Sequence, residues 1–169
     1  EGVPLSTSLT RPVDVLIDFS LPEGTMARLA ECRETKTPLV ICTTGFSDDQ
    51  QAQIAAVAKE IPILQATNMS VGMNLLFKMV PEVAKTLGDS YDIDIVETHH
   101  RFKKDAPSGS AKTLAERVEV STGRKIPMTS IRSGDVVGEH RVIYGTLGES
   151  IEIIHRASSR DIFARGSLR

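Results

Sequence analysis

The sequence predicts an α/β fold in two parts, a first part with a parallel sheet over residues 1–70 and an α+β second part over residues 71–169. Two observations lead to this prediction. In the first part, short apolar runs alternate with helical segments, as in parallel strands joined by right-handed crossover helices. In the second part, long helical patterns stand beside a strand-rich block, which favours a mostly antiparallel or mixed sheet. We place the boundary near Met69–Gly72.

Three apolar runs in the first part are predicted strands, and two helices are predicted between them. The strands are Val13–Phe19, Pro38–Cys42 and Ile61–Gln65. The helices are Thr25–Glu34, after a break at Pro22-Glu23-Gly24, and Gln50–Lys59, after a capping segment at Ser47-Asp48-Asp49.

The loops that follow these strands are candidate ligand contacts. They lie around Phe19-Ser20, Thr43-Thr44 and Thr67-Asn68. Ligands of parallel sheets sit beyond the carboxyl ends of the strands, so the position of the loops favours binding. For each loop taken alone, a plain connection is the favoured interpretation.

The second part begins with a helix and continues into strands. Val71–Leu87 is a helical pattern rich in Met, Leu and Val. Tyr91–Thr98 is a predicted strand with Ile93 and Ile95 on one face, because side chains alternate along a strand. A second helix is predicted at Ala111–Val120, and the glycine-punctuated remainder up to His155 predicts further strands.

Composition and charge exclude several classes of function. The net charge is -2 and no Lys/Arg run occurs, so nothing favours a nucleic-acid partner. Apolar stretches such as Val13–Ile17 are far too short to span a membrane, and Glu1–Arg11 lacks the layout of a signal peptide. Cys32 and Cys42 have no metal or redox spacing, which predicts reduced thiols in a cytoplasmic protein.

The segment from Glu97 to Ala111 concentrates the residues that carry chemistry. It places two His, three basic side chains and a polar glycine turn between a predicted strand and a predicted helix. His99 and His100 should point to opposite faces of an extended strand, and no spaced Cys, Asp or Glu completes a ligand set, so we predict no metal. His99 and Lys103 could instead exchange protons or stabilise a developing anion.

A candidate anion site lies at Ser108-Gly109-Ser110, immediately before a predicted helix. Free backbone N–H groups and the positive end of the helix dipole would face a bound carboxylate or phosphate. His100, Lys103 and Lys104 would add cationic donors. An ordinary serine N-cap beside a solvated basic loop explains the same residues equally well. A nucleophilic serine is not favoured, because no Gly-x-Ser-x-Gly motif is present.

Several segments of the sequence together resemble one family. The run His99–Ala111 is similar to the long signature of the dihydrodipicolinate reductases, also called 4-hydroxy-tetrahydrodipicolinate reductases. Further segments match this family in the same order, namely Ile17–Thr25, Thr43–Phe46, Asn68–Gly72, Gly134–His140 and His155–Arg160. The resemblance covers essentially the whole chain.

The resemblance implies a fold and a reaction. The fold would be a Rossmann-like cofactor domain followed by a substrate domain, whose open mixed sheet assembles a homotetramer. The reaction would be the reduction of 4-hydroxy-tetrahydrodipicolinate to tetrahydrodipicolinate with NADH or NADPH, in lysine and diaminopimelate biosynthesis. The substrate would be a small heterocycle with two carboxylates, and the enzyme would be cytoplasmic.

The resemblance also implies a role for individual residues. His99 looks like the proton donor and acceptor, and Lys103 looks like a second catalytic cation. The substrate contacts would be His100, Gly109, Ser110 and Arg160. The nicotinamide end of the cofactor would be lined by Cys42, Thr43, Thr44, Ala66, Thr67, Asn68 and Met69.

The chain departs from the family pattern at several points. Cys42 stands where the family usually has Gly, and Ser20 and Ser110 stand where Thr is common. The sequence lacks both the Gly-x-x-Gly-x-x-Gly loop that would cradle the cofactor pyrophosphate and the family's C-terminal segment. We therefore expect this chain to bind dinucleotide poorly. The alternative function is a non-catalytic fragment, or a carboxylate-binding and assembly module of the same fold.

Overall fold

The computed structural model describes residues 11–169, which divide into two units between Ala66 and Thr67. Each unit has its own sheet and its own buried apolar core. No helix within the described residues has the length and apolar character needed to cross a membrane. The division falls close to the predicted boundary at Met69–Gly72, and the roles predicted for the two domains stay predictions.

The first unit is a three-stranded parallel sheet with two helices. Its elements are β1 (Leu16–Asp18), α1 (Pro22–Thr35), β2 (Leu39–Ile41), α2 (Asp48–Val57) and β3 (Ile63–Gln65). The strand order is β1-β2-β3, and both pairs are parallel. The predicted parallel sheet is confirmed. Its core joins Leu29 and Cys32 of α1 to Leu39 and Ile41 of β2.

Two predicted boundaries in the first unit were wrong for identifiable reasons. The strand predicted at Val13–Phe19 shortens to Leu16–Asp18, the residues that pair with β2. The residues predicted to break the chain at Pro22 instead begin α1, because proline at the first helical position lacks only an N–H that would have no partner there. The capping segment was correct: Ser47 caps α2, and its hydroxyl and the Gln50 side chain form a reciprocal capping box.

The second unit is a mixed four-stranded sheet with helices. Its elements are α3 (Val71–Leu87), a 3₁₀ turn (Gly88–Ser90), β4 (Asp92–His99), α4 (Gly109–Thr122), β5 (Met128–Arg132), β6 (Gly138–Thr146), β7 (Glu149–Ala157) and α5 (Asp161–Ser167). The strand order is β5-β4-β6-β7. Strand β4 is parallel to β5, while the β4–β6 and β6–β7 pairs are antiparallel. The predicted mixed sheet is confirmed, and α5 is an element that the sequence analysis missed.

The inner face of this sheet changes from apolar to polar along β4. Ile93 and Ile95 are buried with Val142 and Tyr144 of β6 under helices α3 and α4. Two and four residues further along β4, the same face presents Glu97 and then His99, both buried. Because the period of a strand is two, this face delivers an acid and an imidazole to the edge of the apolar core.

Candidate active site

Glu97 is the most buried ionisable group near the end of β4, with no exposed surface. Arg132 of β5 binds it through its two terminal guanidinium nitrogens, at 2.7 Å from Nη2 to Oε1 and 2.8 Å from Nη1 to Oε2. The backbone N–H of Ser108 donates to Oε1 at 3.2 Å. Burial alone would raise the pKa of Glu97, but these donors outweigh it and lower the pKa to about 2. Glu97 is therefore a carboxylate throughout the neutral range.

His99 uses one ring nitrogen to hold this carboxylate. Its Nδ1 lies 2.5 Å from Oε2 of Glu97. Burial lowers the pKa of His99, and Lys103 and Arg132 lower it further, while Glu97 opposes them. Among residues 11–169, Nε2 of His99 forms no hydrogen bond, and the His99 side chain keeps 11% of its surface exposed. The geometry leaves Nε2 as the nitrogen able to exchange a proton with a ligand.

A second imidazole, His140, lies behind the first. Its ring packs edge-on against His99 with the centroids 5.2 Å apart, and its Nε2 lies 3.0 Å from the Ser108 hydroxyl. His140 is 3% exposed, and burial lowers its pKa to about 3, so it is neutral near pH 7. A buried neutral imidazole supports the neighbouring groups and cannot reach a ligand itself.

The first turn of α4 has the structure that the sequence analysis left open. Ser108 is its N-cap and accepts a hydrogen bond from the Ala111 backbone at 3.2 Å. The ordinary-cap interpretation is therefore correct for Ser108. The next two residues, Gly109 and Ser110, begin the helix, where backbone N–H groups have no intrahelical partner. The anion-binding hypothesis for these two N–H groups remains a prediction.

The cationic residues predicted for the site lie in two places. The ammonium of Lys103 binds Asp105 at 2.8 Å, and its side chain is 22% exposed. His100 lies beyond the end of β4, and its Nε2 accepts from Arg160 at 3.4 Å. The structure thus brings the predicted substrate residues His100 and Arg160 together, although they are sixty positions apart.

Four residues predicted to line the cofactor fall at or after the carboxyl end of β3. Asn68 donates from Nδ2 to the Ser110 hydroxyl at 2.9 Å, so this loop contacts the first turn of α4. The hydroxyl of Thr67 lies 3.1 Å from that of Thr113 on the same helix. Met69 is buried and Ala66 is half-buried.

The other three predicted cofactor residues follow β2 in the first unit. Thr43 is buried, and its hydroxyl donates to the Asp18 carboxylate at 3.2 Å. Thr25 donates to the same carboxylate, as does the backbone of Ser20 at 3.0 Å. Burial, and then the Asp18 charge, raise the pKa of Cys42 to about 11, so this thiol is protonated at neutral pH. Thr44 is exposed. The Asp18 carboxylate thereby links the loop after β1 to the loop after β2 through hydrogen bonds.

No group of three or more His, Cys, Asp or Glu side chains within residues 11–169 could hold a metal ion. The cluster around His99 contains one carboxylate, and Arg132 already occupies both of its oxygens. The imidazole of His99 can transfer a proton, and the neighbouring cations Lys103 and Arg132 can stabilise negative charge.

Glu97, Arg132 and His140 belong to this cluster but were not predicted from the sequence. A signal for Glu97 was present, because it continues the alternation of Ile93 and Ile95 and so puts a charge on a face that should be apolar. Arg132 and His140 lie opposite His99 and Glu97 on neighbouring strands. Their place depends on strand register, which the spacing of residues along one strand does not reveal.

Comparison with family models assigns both parts of the chain. Residues 2–69 match the model described as the N-terminus of dihydrodipicolinate reductase, and residues 72–169 match the model of its C-terminus. The chain belongs to the dihydrodipicolinate reductase family. The resemblance found in the sequence is confirmed.

Individual relatives agree with the family models. The chain is 47% identical over 176 residues to the 4-hydroxy-tetrahydrodipicolinate reductase of Hahella chejuensis, covering 92% of this chain and 66% of that protein. It is 44% identical over 191 residues to the enzyme of the same name from Geotalea uraniireducens, covering 99% and 72%. The chain thus spans roughly two thirds of the length of the curated dihydrodipicolinate reductases it matches.

A solved member of the dihydrodipicolinate reductase family has the same fold. The dipicolinate-bound enzyme from Paenisporosarcina sp. TG-14 superposes with a TM-score of 0.73 at 26% identity, covering 92% of this chain and 66% of that one. The predicted fold class, an α/β protein with a parallel sheet and a mixed sheet, is confirmed.

Proposed function

We propose that this chain reduces 4-hydroxy-tetrahydrodipicolinate to tetrahydrodipicolinate with NADH or NADPH, in the biosynthesis of lysine and diaminopimelate. The observation that carries the proposal is the match of both parts of the chain to dihydrodipicolinate reductases. The buried Glu97–His99 pair adds physical support, because it leaves one imidazole nitrogen open for proton transfer.

The substrate is a heterocycle with two carboxylates, and the second unit offers suitable donors for them. The N–H groups of Gly109 and Ser110 stand at the positive end of α4, where an anion is stabilised. His100, Arg160 and Lys103 supply donors or positive charge. Two carboxylates held at fixed points would orient the ring for reaction. Such orientation can lower the activation barrier of a bimolecular reaction by at most roughly 7–11 kcal/mol.

The cofactor that the family implies fits the carboxyl ends of the strands in the first unit. Parallel sheets bind nucleotides there, and the loops after β1 and β2 are braced by Asp18. Exposed Thr44 and Gly45 in the second loop leave the backbone accessible. We propose Cys42, Thr43, Thr44, Ala66, Thr67, Asn68 and Met69 as the residues that line the nicotinamide. When bound, the reduced nicotinamide supplies a hydride to the conjugated ring that forms after the substrate loses its hydroxyl as water.

His99 then donates to the substrate ring the proton that the reduction requires. Its Nε2 is open, and its Nδ1 is held by Glu97, so the imidazolium would release a proton from Nε2 to the ring, directly or through water. The ammonium of Lys103 stabilises negative charge as it develops. These are the proposed catalytic roles of His99 and Lys103.

The proposal predicts that His99→Ala lowers kcat by about 100-fold or more, as removal of a general acid does, with little change in cofactor affinity. Lys103→Ala should lower kcat in the same manner. Both are measured by oxidation of NADH or NADPH with freshly generated substrate. His155→Gln is the matched control, because His155 is half-buried in the same unit and bonds to Ser70 instead.

Full kcat in either variant would remove that residue from the catalytic assignment. Absence of turnover in the unaltered chain, with dipicolinate still bound, would favour the alternative of a carboxylate-binding and assembly module.

We also propose a cytoplasmic homotetramer that assembles through the second face of the four-stranded sheet. That face mixes ion pairs of Arg141 with Glu139 and Glu152 and apolar side chains such as Ile131, which is 44% exposed. A paired sheet face would cover this apolar surface. The mass of the particle in solution tests the assembly.

A further inference from the structure

We propose that Glu97 is a positioning residue that fixes His99 in its Nδ1–H form and so confines the exchangeable proton to Nε2. This inference deepens the proposed function, since its kinetic part assumes that His99 transfers a proton. Its structural part, the tautomer of His99, does not depend on turnover.

The first step is the geometry of the pair. A carboxylate can only accept hydrogen bonds, so the 2.5 Å contact between Oε2 of Glu97 and Nδ1 of His99 requires a proton on Nδ1. In the neutral ring Nε2 is then an unprotonated acceptor, and in the imidazolium both nitrogens are protonated. Whichever form is present, the proton that comes and goes is the one on Nε2.

The second step is the rigidity of Glu97 itself. Its two oxygens receive a bidentate guanidinium from Arg132, and the Ser108 N–H binds Oε1. Arg132 is held in turn by the backbone oxygen of Asp105 at 2.6 Å. Bidentate pairing fixes direction as well as distance, so the carboxylate cannot rotate away from His99.

The third step is the space around Nε2. Gly138 lies beside the ring, and a Cβ at this position would come within 3.1 Å of Nε2 of His99. The absence of a side chain there keeps the reactive nitrogen clear. Glu97 therefore occupies Nδ1 with a hydrogen bond, whereas Gly138 leaves space beside Nε2.

The ionisable groups that face His99 change its pKa in opposite directions. Glu97 raises the pKa of His99, whereas burial, Lys103 and Arg132 lower it. His140, at the edge of the ring, is neutral. Replacing Glu97 by a neutral residue should thus make the imidazolium harder to form and should shift the pH dependence of kcat to lower pH.

The direct test is nitrogen NMR of the histidine rings in the full chain, with the His99 signals identified by their loss in His99→Ala. Near neutral pH we expect the Nδ1–H form in the unaltered chain, and a mixture of both tautomers in Glu97→Gln, because the amide can either accept from or donate to Nδ1. A dominant Nε2–H form in the unaltered chain would overturn the proposal.

The kinetic test is a double-mutant cycle. Glu97→Gln should lower kcat by about 100-fold with little change in KM, within the usual range for general acid catalysis. If Glu97 acts through His99, adding Glu97→Gln to His99→Ala should lower kcat no further. An undiminished effect of Glu97→Gln in the His99→Ala background would contradict a positioning role.

Two controls separate positioning from folding. Glu139→Gln removes a carboxylate of the neighbouring strand that pairs with Arg141 and Arg156 instead of His99, and it should leave the His99 signals unchanged. Glu97→Asp keeps the charge but shortens the side chain, and it should keep the Nδ1–H form while losing part of kcat. A loss of the Nδ1–H form in Glu139→Gln would assign the tautomer to the sheet as a whole and would overturn the role of Glu97. If the unaltered chain shows the Nδ1–H form but no turnover, the proposed function fails and the structural part of the inference stands.

Discussion

His140 is an ionisable side chain that the fold keeps neutral. Burial is the main cause of its lowered pKa of about 3, with His99, His155 and Lys103 lowering it further and Glu97 opposing them. In the unfolded chain a histidine titrates near 6.5. Between these two values the unfolded chain binds a proton that the folded chain does not, so the stability from this residue is present above pH 6.5 and is lost as the pH falls.

We therefore predict that His140→Gln weakens the acid sensitivity of the second unit. The unaltered chain should lose about 2 kcal/mol of unfolding free energy from this residue between about pH 7 and about pH 5. The glutamine can still bond to Ser108 but cannot take up a proton. Between the same pH values the His140→Gln variant should therefore lose about 2 kcal/mol less unfolding free energy than the unaltered chain. Urea unfolding at the two pH values measures the difference, and equal losses in both proteins would show that His140 is not the cause.

Prediction from sequence reached only part of this site. His99, His100 and Lys103 fall within one continuous signature and were found from it. Glu97 was not, although the alternation of β4 marks it, because a glutamate in a strand is usually read as solvent-facing. Arg132 enters the site through strand pairing with His99, which is a relation between distant segments.

At the scale of secondary structure, two helices of the second unit begin in the same manner. Ser70 caps α3 and Ser108 caps α4, and each hydroxyl accepts from a backbone N–H three residues on. Each hydroxyl also meets a sheet histidine, His155 at 3.2 Å from Ser70 and His140 at 3.0 Å from Ser108. The two serines thus link the helices to β7 and β6 as well as capping their first turns.

Because Ser70 both caps α3 and contacts His155, we predict that Ser70→Ala lowers the free energy of unfolding by more than the loss of an ordinary serine cap does. Loss of a serine cap costs about 1 kcal/mol, and a half-buried His155 left without its partner adds roughly 1 kcal/mol or more. Ser47→Ala is the control, because the Ser47 hydroxyl caps α2 at an exposed position by accepting from the backbone N–H of Gln50. Urea unfolding of both variants measures the difference, and equal losses would mean that the His155 contact is not stabilising.

Helices were predicted more accurately than strands. Val71–Leu87 was located to the residue, because its apolar pattern is long. The shorter strands of the first unit have only three residues each, so two positions of error change most of the element. Helix α5 was missed because its seven residues include Gly166 and no buried side chain.

At the scale of the whole molecule, the two apolar cores share no residue. The core of the first unit draws on α1, β2 and α2, and that of the second on α3, α4, β4 and β6. Both tyrosines, Tyr91 and Tyr144, lie in the second unit, and the chain has no tryptophan. Tyrosine fluorescence therefore reports on the second unit.

We predict that Leu114→Ala lowers the stability seen by tyrosine fluorescence by about 3 kcal/mol, as is typical for a buried leucine. Leu114 has no exposed surface and packs in the second core. Leu29→Ala, in the first core, should leave the tyrosine transition unchanged while weakening the helical circular-dichroism signal. A shift of the tyrosine transition in Leu29→Ala would show that the two cores unfold together.

The serine caps of α3 and α4 have a consequence for how proton uptake could be followed. The hydroxyls that meet His155 and His140 also accept from the amides of Met73 and Ala111. A histidine that gains a proton at Nε2 becomes a donor to the same oxygen and competes for its lone pairs. The rate at which these two amides exchange with deuterated solvent should thus follow the protonation of the two rings. Amide exchange in the first turns of α3 and α4 would then report the protonation states of His155 and His140.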